Sequence, residues 1–136
     1  MKPLILLCMC ICMASCHVIP VSTTEVLSFN DIPASAQRLI TEFFHPHDIT
    51  SITKRKADKG FVVSFGRGEQ ICFNKEGEWE AIDCLKTEIP YPVVPRQIRY
   101  QIAKKYGPYE HVVEMRRSKD KLWIELTNHV EMVLKL

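Results

Sequence analysis

The sequence of 136 residues lacks the motifs that mark the common enzyme classes. It carries no nucleophile motif, no glycine-rich phosphate loop and no pair of acidic residues at a spacing that suggests acid–base catalysis. Ser64 lies within a predicted strand, and nothing around it resembles a nucleophile elbow. We therefore expect a protein that is not an enzyme and that requires no cofactor.

The sequence also lacks an excess of charge of either sign. Its 18 lysine and arginine residues nearly balance 16 aspartate and glutamate residues, which leaves a net charge of +2. A general nucleic-acid-binding protein would need a dominant basic face. We therefore expect no nucleic-acid partner, and the length predicts one globular domain.

Cysteine is scarce outside the first 16 residues, where four of the six cysteines lie. Only Cys72 and Cys84 belong to the body of the chain. On the predicted strands Cys72 faces away from the core and Cys84 faces toward it, and the hairpin register separates them by about four residues. Because that distance exceeds the reach of a disulfide, we expect no disulfide between them.

The chain begins with an apolar segment that is too short to span a membrane. Lys2 precedes ten apolar residues, 4–13, whereas a spanning helix needs about 20. Residues 1–16 are therefore predicted to be a secretory signal peptide. Met13-Ala14-Ser15-Cys16 resembles a bacterial lipobox with methionine at its first position. Two alternatives remain open, a lipidated Cys16 that tethers the protein to a membrane and ordinary cleavage near that cysteine.

Either alternative places the mature protein outside the cytoplasm, in the periplasm or cell envelope. Residues 17–30 are polar and show no helical period, so they are predicted to form an N-terminal tether.

Residues 31–136 carry an internal repeat, which predicts the fold. Four helical positions recur 62 residues later, with Ile32, Ala36, Ile40 and Phe44 repeated as Val94, Ile98, Ile102 and Tyr106. Three strand positions recur 61 residues later, with Phe61, Val63 and Phe65 repeated as Leu122, Ile124 and Leu126. Each unit predicts one amphipathic helix followed by an antiparallel meander. The fold class is therefore α+β, with four strands in repeat 31–88, three in repeat 89–136, and both helices on one face of the sheet.

Five residues are candidates for a binding surface. Trp123 is out of phase with the apolar residues of its strand, so it should point away from the helices. Lys54 and Arg55 occupy places in the first repeat that match Arg116 and Arg117 in the second. These four charges predict either a basic rim for an acidic partner or protection of an exposed strand edge.

A metal site is not expected from the sequence. His45 and His47 flank a proline in a loop that ends the first helix, and no third ligand lies near them.

Several segments resemble the small secreted PepSY-like proteins of Gram-negative bacteria, which are also called β-lactamase-inhibitor-like proteins. The segments are FNDIPASAQ at 29–37, FNKEGEW at 73–79, Asp83-Cys84 and the proline-rich restart at 89–95. The resemblance implies a PepSY-like domain over residues 31–136, similar to the fold of β-lactamase inhibitor protein, and an exported location. It implies no established activity and no functional residues. The chain departs from the pattern by lacking a closing strand in its second unit and by carrying His45-Pro46-His47 in place of a shorter loop.

Two functions therefore remain open from the sequence. The first is an exported, non-enzymatic module that binds or inhibits another envelope or secreted protein, such as a hydrolase. The alternative is an envelope protein that binds a small molecule or a lipid surface.

Overall fold

A computed structural model describes residues 25–136, in which both α-helices begin directly after a proline. Pro33 precedes α1 (Ala34–Phe43) and Pro95 precedes α2 (Arg96–Tyr106). A proline is tolerated at the start of a helix because the first N–H groups have no partner within the helix. The apolar stripe of each helix then faces the sheet, with Ala36 and Ile40 buried from α1.

Eight strands form one antiparallel sheet, and their order in the sheet is their order along the chain. The strands are β1 Glu25–Val26, β2 Ile49–Lys54, β3 Phe61–Phe65, β4 Gln70–Phe73, β5 Trp79–Asp83, β6 Val112–Ser118, β7 Lys121–Leu126 and β8 Glu131–Lys135. Three short 3-10 turns, Phe29–Asp31, Pro46–Asp48 and Tyr91–Val93, join these elements. The α+β class with two helices and one antiparallel sheet is confirmed.

One core lies between the two helices and one face of the sheet. Every second residue of β3 and β7 points into it, and the helices supply the opposite wall. Its largest fully buried side chains are Ile40, Val63, Ile71, Phe73, Ile82, Met115, Leu122, Leu126 and Cys84. Alternation along a strand places the intervening residues on the opposite face, which neither helix of residues 25–136 covers. We call that uncovered side the open face.

Residues 25–30 contact the domain, although the sequence predicts a tether over residues 17–30. Glu25–Val26 pair with β2, and the Leu27 N–H donates a hydrogen bond of 2.9 Å to the carbonyl oxygen of Ile52. Leu27 and Phe29 also pack against the core, which explains why this short segment lies on the domain. The predicted signal peptide, Cys16 and residues 17–24 lie outside the described residues.

Cys72 and Cys84 are both buried. Cys72 is paired in register with Ala81 on the open face, whereas Cys84 lies in the core beyond the end of β5. Burial raises the pKa of the Cys84 thiol to about 12. This cysteine is therefore protonated at neutral pH and is a poor nucleophile.

Gly77 sits where the β4–β5 hairpin crosses the start of α1. Its φ is +85°, and an added Cβ would meet the Ser35 hydroxyl and would lie 2.6 Å from Pro33 Cβ. Gly68, in the β3–β4 hairpin, has a similar φ of +92° but only an ordinary contact, at 3.8 Å from Lys86. Gly77 therefore meets both a backbone and a packing requirement, whereas Gly68 meets only the first.

We expect Gly77→Ala to lower the free energy of unfolding by about 1–3 kcal/mol more than Gly68→Ala, because only the first substitution overpacks the helix contact. Both variants share the strain of a side chain at positive φ. Urea denaturation of both variants beside the wild type measures the difference. Equal losses would show that the hairpin does not press on α1 as described.

Candidate functional site

The open face carries a continuous row of cross-strand neighbours, one from each strand. We call this set the central row: Val26, Thr53, Val62, Cys72, Ala81, Arg116, Trp123 and Val133. Directly opposed side chains on one sheet face contact each other, so the row forms a strip across the whole sheet. The strip is mostly apolar, and its largest side chain is Trp123.

Trp123 is the exposed aromatic residue of this strip. It is 43% exposed and lies between Arg116 on β6 and Val133 on β8, which is 48% exposed. The depression beside it has a volume of about 10 Å³, which is room for about one water molecule. A surface this flat suits a macromolecular partner better than a small ligand, which needs a deeper cavity.

Four carboxylates form a second row beside the central row. Asp83, Glu114, Glu125 and Glu131 are neighbours in register on β5 to β8, and we call them the acidic row. Opposed like charges on a sheet are unfavourable. Arg116 offsets part of this repulsion, because its Nε lies 2.8 Å from Glu114 Oε1.

Glu114 is the carboxylate most affected by this environment. Burial raises its pKa above the ordinary value, and the nearby charges of Asp83 and Glu125 raise it further. A hydrogen bond with Glu125 also raises the pKa of Glu114, while Arg116 lowers it. The neutral form of Glu114 is therefore favoured in the folded protein compared with the unfolded chain.

The Arg55 side chain makes its polar contacts with other residues of the domain. Its side chain is only 25% exposed and makes ion pairs with Asp58 and Glu80, at 3.0 Å and 2.8 Å. Arg55 Nη2 also donates a hydrogen bond of 3.2 Å to the carbonyl oxygen of Phe73. These bonds connect the β2–β3 turn to β4 and β5, so Arg55 joins strands within the sheet.

The other predicted basic residues are also separated. The Arg117 guanidinium lies over the ring of Trp79 at 4.1 Å, on the helix-covered side, where Trp79 packs against the core. Lys54 is half-buried near the β1 edge, opposite Phe61 in register. Of the four basic residues, the structure brings only Arg116 beside Trp123. The acidic row was missed from the sequence, although Glu114 and Glu125 share the strand phase of Arg116 and Trp123.

The histidine loop gives no sign of a metal centre. The His45 and His47 rings lie 5.4 Å apart, and residues 25–136 contain no group of three or more His, Cys, Asp or Glu side chains placed to hold a metal ion. Within the same residues, neither helix is long and apolar enough to cross a bilayer.

Family comparison identifies the class of protein. The family model described as "Putative beta-lactamase-inhibitor-like, PepSY-like" matches residues 59–136, which is more than half of the chain. The chain therefore belongs to the PepSY-like family, and this expectation from the sequence is confirmed. None of the functionally curated proteins matches the chain.

Solved structures from Bacteroides share the fold. A "putative calcium-regulated periplasmic protein" of Bacteroides thetaiotaomicron is 25% identical with a TM-score of 0.78, covering 83% of this chain and 90% of that one. A "putative periplasmic protein" of Bacteroides vulgatus is also 25% identical with a TM-score of 0.78, covering 85% and 91%.

A further periplasmic protein of Bacteroides vulgatus, described as of unknown function, is 22% identical with a TM-score of 0.73, and the match covers 83% of this chain and 92% of that one. At that identity the likeness shows the fold alone. The structures that this chain resembles are thus described as periplasmic proteins.

Glu114→Gln should change how stability depends on pH. Because the pKa of Glu114 is raised in the folded state, the folded protein binds this proton more tightly than the unfolded chain does. The free energy of unfolding of the wild type should therefore fall, relative to Glu114→Gln, as pH rises from below 4.5 to neutral.

Chemical denaturation of both proteins across this pH range measures the effect. Glu42→Gln, which changes an exposed residue of α1, is the control and should follow the wild type. A difference between Glu114→Gln and wild type that stays constant with pH would contradict the raised pKa.

Proposed function

We propose that this PepSY-like protein is an exported, non-enzymatic module of the cell envelope that binds another envelope or secreted protein through its open face. The observation that carries this proposal is Trp123, a large aromatic side chain left half-exposed between Arg116 and Val133 in the mostly apolar central row. Exposed aromatic residues are frequent energetic centres of protein interfaces. The flatness of the surface around Trp123 also favours a protein partner.

The charges of the open face constrain the partner. The acidic row runs along one side of the central row, where Arg116 pairs with Glu114 and His129 Nδ1 lies 3.4 Å from Glu125 Oε1. A complementary partner would present apolar side chains opposite Trp123 and Val133 and basic side chains opposite the carboxylates. Like-charged partners would be rejected, so this row would contribute to specificity.

Binding, not catalysis, is supported by the chemistry of the described residues. Cys84 is held in its unreactive thiol form. The exposed face offers a flat strip in place of a pocket that could enclose a reacting group. Inhibition of a bound hydrolase is the specific activity that the family description suggests, and it belongs to this proposal.

Calcium regulation, which is named for the Bacteroides thetaiotaomicron protein, is not part of this proposal. The acidic row runs over four neighbouring strands that are about 4.8 Å apart, so its carboxylates do not converge on one point.

We infer further that the domain consists of two repeated units, 31–88 and 89–136, with four and three strands. Positions that match in the sequence have matching environments, because Ile40 and Ile102 are both buried, as are Val63 and Ile124. A proline precedes the helix of each unit. A domain built from two repeated units would explain why one sheet is covered by two helices of similar length.

Lipidation of Cys16 belongs to the same proposal, since it would hold the module at the membrane where its partner lies. The protein should then partition into the membrane fraction after cell lysis, whereas Cys16→Ser should be soluble or fail to mature. Gel mobility and detergent partitioning measure this. A wild-type protein found only in the soluble periplasmic fraction would contradict lipidation.

Trp123→Ala should abolish capture of the partner. The processed protein, used as bait on detergent-solubilised envelope, should retain one stoichiometric partner, and the variant should lose it. Loss of a central aromatic residue typically costs about 2 kcal/mol or more, which corresponds to about thirtyfold in Kd. The dissociation constant with the purified partner then provides the quantitative measurement.

Tyr100→Ala is the matched control, because Tyr100 is also an exposed aromatic residue but lies on α2, away from the open face. It should bind the partner as the wild type does. Binding through the open face would be refuted if Trp123→Ala captured the same partner. It would also be refuted if neither the wild type nor Trp123→Ala captured one.

A further inference from the structure

A cleft separate from the open face lies between α2, the proline-rich turn before it and the loop that follows it. Its volume is about 480 Å³, within the range of small-molecule sites in proteins. Its apolar walls are formed by Ile89, Pro90, Tyr91, Val94, Ile102 and Val112. Four of these residues, Ile89, Val94, Ile102 and Val112, belong to the core, so the cleft reaches the hydrophobic interior.

Arg99 is the one charged lining residue without a polar partner among the described residues. Its Nε is buried and has no hydrogen-bond acceptor, and its guanidinium lies over the ring of Tyr91 at 4.1 Å. A buried N–H donor without an acceptor is unfavourable. The stacking on Tyr91 fixes the plane of the guanidinium but accepts no hydrogen bond from Nε, so this donor remains without an acceptor.

The other charged groups of the cleft have partners. His111 Nδ1 lies 3.4 Å from Glu88 Oε2, and the Thr127 hydroxyl donates a hydrogen bond of 2.8 Å to Glu110 Oε2. The helix itself adds positive charge, because α2 contains four basic residues and no acidic residue. Among residues 25–136, no salt bridge to a carboxylate neutralises any of these four.

We propose that this cleft binds an apolar molecule that carries a single carboxylate, and that Arg99 receives the carboxylate. The planar guanidinium presents its N–H groups in a geometry that matches a carboxylate. The apolar walls would cover the body of the ligand. Glu88 and Glu110 in the lining disfavour ligands with several negative charges, because Arg99 is the one lysine or arginine among the described residues that line the cleft.

The probes are butanoate, octanoate and dodecanoate below their micelle concentrations, with octanol as a neutral ligand of matched length and acetate as a carboxylate without an apolar body. The processed protein is labelled with ¹⁵N, and the Nε–Hε signal of Arg99 is followed by NMR together with the backbone amides. Octanoate or dodecanoate should shift the Arg99 Nε–Hε signal and the amides of Tyr91 and Ile102. Octanol and acetate should bind at least about tenfold more weakly.

Arg99→Gln should weaken binding of the carboxylate by about tenfold or more, while its affinity for octanol stays the same. Arg96→Gln is the matched control, since it removes one positive charge from the same helix outside the cleft, and it should change affinity by less than about twofold. Trp123→Ala should bind octanoate normally, because the two surfaces are separate.

Equal affinity of the wild type for octanoate and octanol would overturn the proposal without any variant. So would an Arg99 signal that none of the carboxylates shifts, or unchanged octanoate binding by Arg99→Gln. None of these results would bear on protein binding by the open face, which depends on Trp123.

Discussion

The whole structure depends on one constraint, which is that two short helices cover only one face of an eight-stranded sheet. The large apolar side chains of successive strands must therefore share one phase, and a slip by one residue would expose them. This shared phase continues from the first half of the chain into the second. It is shown by three neighbours in register on β4, β5 and β6, all fully buried: Ile71, Ile82 and Met115. The pairing of β5 with β6 is what makes one core from two helices.

The same constraint creates the candidate interface. Residues out of phase with the core are forced onto the uncovered face, where β-branched, small and aromatic side chains form the central row. Nothing in the fold requires a tryptophan at position 123, because its neighbours Arg116 and Val133 leave it half-exposed and it supports no core contact. An exposed tryptophan without a structural role is better explained by recognition.

The open face and the α2 cleft differ in the physical properties that determine what each surface binds. The open face is flat and combines a mostly apolar strip with a row of four carboxylates, of which Glu114 pairs with Arg116. The cleft is concave, apolar and carries an unneutralised cation. A protein surface with basic groups suits the first, and a small carboxylate suits the second, so the two proposals stand on separate residues.

Much of this fold could be predicted from the sequence, because alternation and helical spacing are local signals. Phe61, Val63 and Phe65 predicted one face of β3, and Leu122, Ile124 and Leu126 predicted the same face of β7; all six are buried. The phase of Trp79 could not be predicted, because it lies beside a turn and a register shift between Cys72 and Phe73.

Contacts between distant residues were beyond the reach of local patterns. Arg55 was predicted to belong to a basic rim or to protect a strand edge, yet it pairs with Glu80, which lies 25 residues away in the sequence. The acidic row required the register of four strands, and the cleft required α2 and the proline-rich turn to be placed together. A helix with four cations and no carboxylate was the one available signal for the cleft.

The most direct test of the central claim is photo-crosslinking from chosen positions of the domain. A photoreactive residue replaces Val133 on the open face in one protein and Tyr100 on α2 in another, both at exposed positions. After irradiation in solubilised cell envelope, the account predicts one dominant protein adduct from position 133 and none from position 100. Adducts from position 100 alone, or equal adducts from both positions, would contradict an interface on the open face.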